Sequence, residues 1–454
     1  MDILQILKGI NNVLWGKFLM FVLCGAGILF TFQLRFVQIR KFGQAFKRTF
    51  GQLKLNGEKA GKEGMSSFQS LATAIAAQVG TGNLAGAATA IVSGGPGAIF
   101  WMWFSAFFGM GTIFNEAVVS QVYKTKVNGQ VTGGPAYYIR KGVNSKFLAG
   151  FFAIGMTIAA GLTGGMVQAN AIGSAFNAIS NIPSLVIGII VSILAGIVFI
   201  GGIKRIASVT EKLVPVMAGL YIIGSLIILI INGSQVGNAF KMIFVGAFNP
   251  KAVMGGALGI GVKEAMRYGI ARGLFSNEAG MGSTPHAHAV AKVKNPVEQG
   301  MVAIMGVFID TFVVLTLTAL VILTTGALDG HTTGIELTQK AFKLGFGSPG
   351  SYFIAISLFF FAFSTIIGWY FYGEANVKYL FGNKGVIPYR IFMMILIIMG
   401  TILDVPVVWQ LADIFNGIVI IPNIIALIVL LPVAKKALKN FESDGLINNN
   451  DLNM

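Results

Sequence analysis

Charge is scarce in this chain: 11% of residues are Asp, Glu, Lys or Arg, against 55% hydrophobic ones. Reactive side chains are scarcer still, with three histidines and a single cysteine, Cys24. One thiol excludes an intramolecular disulfide, and Cys24 reads as a small apolar filler within a helix. Neither His-Glu-x-x-His nor Gly-x-Ser-x-Gly occurs in the sequence, so an intramembrane enzyme has no recognisable nucleophile or metal motif. His286 and His288 form a His-Ala-His pair, but two ligands are too few for a metal, and alternate residues on a helix diverge. A cytoplasmic helix end is expected there. Ten-residue runs of alternating polarity, the mark of a membrane barrel, are missing as well.

Long continuous apolar runs fill the space these absences leave. Mean hydropathy is +0.77, which places the chain among all-α integral membrane proteins. The 59 glycines suit close helix packing in lipid. About eleven transmembrane spans are expected, at 12–34, 67–93, 97–123, 147–177, 183–203, 211–232, 253–285, 300–325, 351–373, 388–404 and 407–433. The first run is too long for a cleaved signal peptide and lacks a basic leading region. A single polytopic domain over 1–434 is expected, with a short cytoplasmic tail at 435–454.

A net charge of +16 invites a nucleic-acid reading, but its distribution excludes one. With the N-terminus outside, most of the 33 basic residues fall in loops assigned to the inside, from Arg35–Lys62 to Lys435, Lys436 and Lys439. That is the positive-inside bias, and it puts the C-terminus in the cytoplasm of a cell-membrane protein. Some contact with anionic lipid follows from the same excess.

Two apolar segments are interrupted. "VGTGN" (Val79 to Asn83) breaks the second span, and "RGLFSNEAGMGS" (Arg272 to Ser283) breaks the seventh. Each Gly costs about 1 kcal/mol in a helix relative to Ala. Unpaired backbone at membrane depth is tolerated only where it lines a cavity or binds something. With the first helix (12–34) set aside, 67–232 and 253–433 form two sets of five spans. An odd count inverts the second set, and each set leads with its broken helix, the design of a secondary transporter. A channel would want a repeated filter loop, and this pair of inverted breaks supplies none.

Three stretches carry a family resemblance: "VGTGNLAG", "GGPGAIFWMWFSAFFGM" (Gly94 to Met110) and "RGLFSNEAGMGSTPHAHA". Over essentially the whole chain they resemble the alanine/glycine:cation symporter family. The resemblance implies the bacterial leucine-transporter (LeuT-type) five-plus-five inverted repeat with one extra N-terminal helix. It also implies alanine or glycine as substrate and sodium as the coupling ion, with no other cofactor and no obligate protein partner. "QVGTGN" is similar to that transporter's first broken helix, and Glu116 to its acidic residue on the next helix, although the asparagine that precedes Ala-Val-Gly there is missing here.

The residues can be given roles on that basis. A zwitterion needs donors for its carboxylate, which the amides at the first break with Thr81, Gly82 and Asn83 can supply. Gln168 can donate to the carboxylate or accept from the ammonium. Carbonyls near Phe275, Ser276 and Asn277 would accept from the ammonium, and Trp369 would close a pocket the size of a methyl group. Sodium takes hard oxygen ligands, for which the resemblance implies Ser364 and Thr365 with the carbonyls of Ala76, Val79 and Phe361. A second sodium site would lie near Gln78 and Asn83. Glu116, Glu278, Asp310, Asp404 and Asp413 are acids at membrane depth and need partners. Gating ion pairs from Arg272 to Glu278 or Glu116 are expected, with Glu278 or Glu116 as the coupling group if protons replace sodium.

Overall fold

The computed structural model describes residues 3–51, 64–127, 129–180, 182–249, 261–403 and 405–450. Asp404, Lys54, Lys59 and Lys62 lie outside the described residues. Helices dominate, joined by a hairpin of two three-residue strands, Thr125–Val127 and Gln130–Thr132, paired antiparallel. Among the described residues seven helices are long and apolar enough to cross a bilayer, or eight if the bent pair Ser67–Gln78 and Gly82–Gly94 counts as one span. The stretch Pro349–Ile402 contains two helices, Pro349–Phe381 and Val386–Ile402, joined by a turn at Gly382–Gly385. Ser184–Ile200 is a shorter apolar helix. Of the expected seventh span, the described part is the helix Val262–Asn277 and the irregular backbone after it.

Local chemistry explains the first break. Ser66 opens Ser67–Gln78 with a capping box: its hydroxyl accepts from the Gln69 amide, and the Gln69 side chain accepts from the Ser66 amide, both at 3.1 Å. Such a cap stabilises a helix by about 1 kcal/mol. The helix stops at Val79, whose ψ of 89° leaves the helical region. Gly82–Gly94 then resumes at 48° to the first half.

Of the five π-helical stretches among the described residues, three lie at Gly82–Gly86, Ala160–Val167 and Phe308–Leu315. These turns contain or adjoin Asn83, Gln168 and Asp310. Such bulges widen a helix locally and turn side chains inward. Two helices fill stretches expected to be outside loops, Gly233–Phe248 and Gly334–Phe346. Trp101 of the helix Ala98–Val122 donates to the Ala247 carbonyl at 3.2 Å, and Thr338 donates to the Leu84 carbonyl at 3.0 Å. The second contact braces the resumed half of the broken helix. The outer faces are apolar: Ile189, Ile190, Ile193, Ile197 and Ile200 all stand exposed on Ser184–Ile200. That surface requires a hydrocarbon surround.

Candidate substrate and cation site

The first break is held open by side chains. Asn83 Oδ1 accepts from the Gly80 amide at 3.0 Å, and Asn83 Nδ2 donates to the Asp310 carbonyl and carboxylate at 3.0 and 2.6 Å. The Thr81 amide donates to Gln168 Oε1 at 3.3 Å, and Gln168 Nε2 donates to the Thr163 carbonyl at 3.2 Å. Thr81 Oγ1 and Gln78 Oε1 are buried without a hydrogen-bond partner. Buried polar atoms are normally satisfied, so these two are available to a ligand.

Four of the expected cation oxygens converge. Thr365 Oγ1 donates to the Ala76 carbonyl at 3.0 Å and to the Phe361 carbonyl at 2.9 Å. Ser364 Oγ lies 3.2 Å from Ala76 O and 2.9 Å from Phe361 O. Val79 is buried at the end of the same half-helix, three residues beyond Ala76. Gly80 joins this cluster to Gln168: a Cβ there would fall 2.5 Å from Thr365 Oγ1 and 3.2 Å from Gln168 Oε1. Only glycine allows that approach.

The second break follows Val262–Asn277. Glu278 caps it in the left-handed region at φ 57°, and Gly280 and Gly282 follow at φ 89° and 82°. A side chain with a Cβ costs about 1–3 kcal/mol in such a conformation, so other contacts must hold it. Glu278 Oε1 accepts from Trp369 Nε1 at 2.9 Å, and Oε2 accepts from Ser283 Oγ at 2.5 Å. Glu116 accepts from the Gly280 and Gly282 amides at 3.2 and 3.1 Å, and from Asn423 at 2.7 Å. These bonds satisfy amides that no helix can reach. Ser276 donates to both Asp310 oxygens at 3.1 Å. The Asn277 carbonyl accepts from Gln78 at 2.7 Å, so the two breaks touch directly.

Asp310 is the centre that the motifs did not single out. Asn83, Ser276 and Thr311 all bond its carboxylate, Thr311 at 2.8 Å. Its lone negative charge in "GVFIDTFVV" was the available signal; its partners, 227 and 34 residues away, were not.

Arg272 departs from expectation. Its ion pair is with Asp413 at 3.1 Å, and with neither Glu278 nor Glu116. The guanidinium also stands over the rings of Phe275 and Trp409, 5.8 and 5.7 Å from their centroids. Phe275 and Trp409 pack together at 5.3 Å. The largely buried pair therefore joins Val262–Asn277 to the helix Val405–Asn450 beside the site, while the carboxylates of the break are satisfied by amides, a hydroxyl and an indole.

His286 and His288 also differ from a solvated helix end. Both are buried in the short helix Pro285–Ala289. His286 bonds the Ser283 carbonyl at 2.7 Å and Asn376 at 2.8 Å, and His288 bonds Gln299 at 2.8 Å. They tie the far end of the second break to its neighbours. Among the described residues no cluster of three or more His, Cys, Asp or Glu is arranged to hold a metal ion.

Two broken helices whose irregular backbone and hydroxyls meet side by side define a secondary transporter. The likeness to known proteins agrees. The crystal structure of MhsT in complex with L-phenylalanine matches with a TM-score of 0.57 at 15% identity, over 83% of this chain and 99% of that one. The fold is therefore the LeuT type. The model of the sodium:alanine symporter family matches residues 1–451, and the chain belongs to that family. The sodium/alanine symporter AgcS of Methanococcus maripaludis is 41% identical over 97% of this chain and 98% of its own. The protein named "Probable sodium/glutamine symporter GlnT" of Bacillus subtilis is 41% identical over 97% and 91%. The chain is accordingly a multi-pass membrane transporter of amino acids coupled to cations, not an enzyme.

Proposed function

We propose that this chain imports a small neutral amino acid, alanine or glycine, together with sodium by alternating access. The observation that carries the reading is the position of Gly80, wedged between Thr365 of the cation cluster and Gln168 of the substrate cluster. One backbone position would thus feel both ligands, which is the physical requirement for coupling. Sodium would bind the oxygens of Ala76, Val79, Phe361, Ser364 and Thr365 and stiffen the first break. The Thr81 and Gly82 backbone, the Thr81 hydroxyl, Asn83 and Gln168 would then take the carboxylate. Phe275, Ser276 and Asn277 would accept from the ammonium, and Trp369 would bound the side chain. A second sodium would use Asp310 Oδ1 with Asn83 and Ser276 beside Gln78. The names of AgcS and GlnT support sodium and a neutral amino acid.

The proposed frame is eleven spans with the N-terminus outside and the C-terminus inside, as 12–34 followed by the repeats 67–232 and 253–433. A bundle holding both broken helices would rock against the rest, driven by the sodium gradient and by about 2.3 kcal/mol per charge per 100 mV. Arg272 with Asp413 would gate the outer side, and Glu116 with Glu278 would brace the inner one.

A second reading rests on Glu278, which is buried in the break and forms no salt bridge among the described residues. There it would carry a proton in place of sodium. Radiolabelled alanine uptake into proteoliposomes separates the two. Accumulation under an inward sodium gradient, and not with choline or a proton gradient, is the expected result. Uptake driven by protons alone overturns sodium coupling, and no uptake of alanine or glycine under either gradient overturns the substrate.

A further inference from the structure

A cavity of about 430 Å³ lies away from the transport site, among Arg48, Thr49, Ser66, Ser67, Lys292 and Lys294. Phe68, Leu71, Val293 and Val302 make its apolar wall. The 12-residue helix Ser67–Gln78 begins at its edge. The capping box takes the Gln69 amide there, which leaves Ser67 and Phe68 to present the free amides and positive dipole end of the first turn. Lys292 and Lys294 are exposed and form no ion pair among the described residues. Arg48 is bridged to Glu298 at 3.0 Å, the single carboxylate in the lining.

Independently, Thr49 points to a ligand. It lines this cavity, is 93% buried, and its hydroxyl has no hydrogen-bond partner. Three cationic side chains, two free amides and an idle hydroxyl around one acid match the donors that a phosphate oxygen cluster accepts. The neighbouring surface says where the phosphate comes from. Thr49 and Arg48 belong to the amphipathic helix Phe42–Phe50, which buries Ala45 and Thr49 while exposing Phe46 and Phe50. A short helix of that pattern lies in the headgroup layer.

We propose that this cavity binds the phosphate of an anionic phospholipid, with the headgroup on Arg48, Thr49, Lys292 and Lys294 and acyl carbon against Phe68 and Leu71. The site sits at the start of the half-helix that ends in Ala76 and Val79. A lipid held there braces the half-helix that carries the cation oxygens.

Native mass spectrometry of the purified full-length protein tests this, with phosphatidylglycerol, phosphatidylcholine and inorganic phosphate as probes. Preferential retention of phosphatidylglycerol over phosphatidylcholine is expected. Lys292→Gln and Lys294→Gln should each lower that retention about fivefold, and Thr49→Val about threefold. Glu298→Gln should raise it, because Arg48 is released; a merely structural role for these residues predicts no gain. Retention of inorganic phosphate without lipid would support the anion site and assign it to the free anion. Equal retention of both lipids, or lysine and threonine variants that retain phosphatidylglycerol like the parent, overturns the proposal. Glu298→Gln also guards against misfolding, since it acts in the opposite direction to the others.

Discussion

Asn83 donates twice to Asp310, through one amide group to the carbonyl at 3.0 Å and the carboxylate at 2.6 Å. Residues 227 positions apart thereby pin the first broken helix to the helix Pro296–Thr324 at the level of the site. The contact is short and involves a charge-bearing group, the kind worth about 1.5–3 kcal/mol. Asp310→Asn keeps the volume and removes the charge. Sodium for half-maximal alanine uptake should rise roughly 10-fold to 100-fold. Sodium titration of uptake in proteoliposomes measures this; an unchanged midpoint would remove Asp310 from cation binding.

Ser364→Ala combined with Thr365→Ala strips two hydroxyl oxygens from the Ala76 and Phe361 carbonyls. The same titration should move to much higher sodium, with Thr365→Ser retaining most of the parent behaviour. Both hydroxyls also bond the carbonyl of their own helix at Phe361, as Ser and Thr commonly do. If the double variant keeps its sodium dependence, that local bonding is their whole role.

Gly80→Ala adds one methyl group 2.5 Å from Thr365 Oγ1, closer than real Cβ contacts allow. Uptake should be lost while protein level in the membrane stays near the parent's. Direct binding of alanine and of sodium, measured separately, should both weaken. Loss of only one would break the link drawn here between the two clusters.

Arg272 and Asp413 make a largely buried pair, with side chains 20% and 10% exposed, so removing either charge alone leaves the other without its partner. Asp413→Asn and Arg272→Gln should each slow uptake about threefold to fivefold, and the double variant should be no worse than either single one. A charge swap at the two positions should recover part of the rate. Fully additive losses would mean that the pair does not act as a unit.

Trp369→Leu removes the indole that donates to Glu278 and enlarges the space it bounds. Glutamine should then compete for radiolabelled alanine uptake more effectively than it does with the parent. Each methylene accommodated is worth about 1–3 kcal/mol. No gain for glutamine would place Trp369 outside the substrate pocket.

The breaks were legible because their cause is local. "VGTGN" and "SNEAGMG" contain residues that cannot sustain a helix, and the helices end at Gln78 and Asn277 accordingly. Ser364 and Thr365 were legible only through family likeness, since two hydroxyls on an apolar helix have many ordinary uses. Partner choice was not legible at all. Arg272 had Glu278 as a nearer acid in the chain, yet the fold gives the carboxylates of Glu278 and Glu116 backbone amides, a hydroxyl and an indole and leaves Asp413 for the guanidinium. Asp310 was visible as a charge out of place, but nothing in its own neighbourhood names Asn83. Hydropathy likewise reads 233–248 and 334–346 as loops, because their helices are shaped by packing on Trp101 and Leu84 rather than by length.

The helix Pro349–Phe381 runs for 33 residues without a break, about 50 Å at 1.5 Å per residue. Ser364 sits near its middle, so about 25 Å of rod extends from there to Phe381. A swing of about 10° pivoting at Ser364 would carry the Phe381 end roughly 4 Å sideways, more than a water molecule's width. Lys378 and Glu374, paired at 2.6 Å near that end, would travel with it. A small rotation about Ser364, where oxygens gather, would thus become a larger displacement at the far end, with the unbroken helix as the lever.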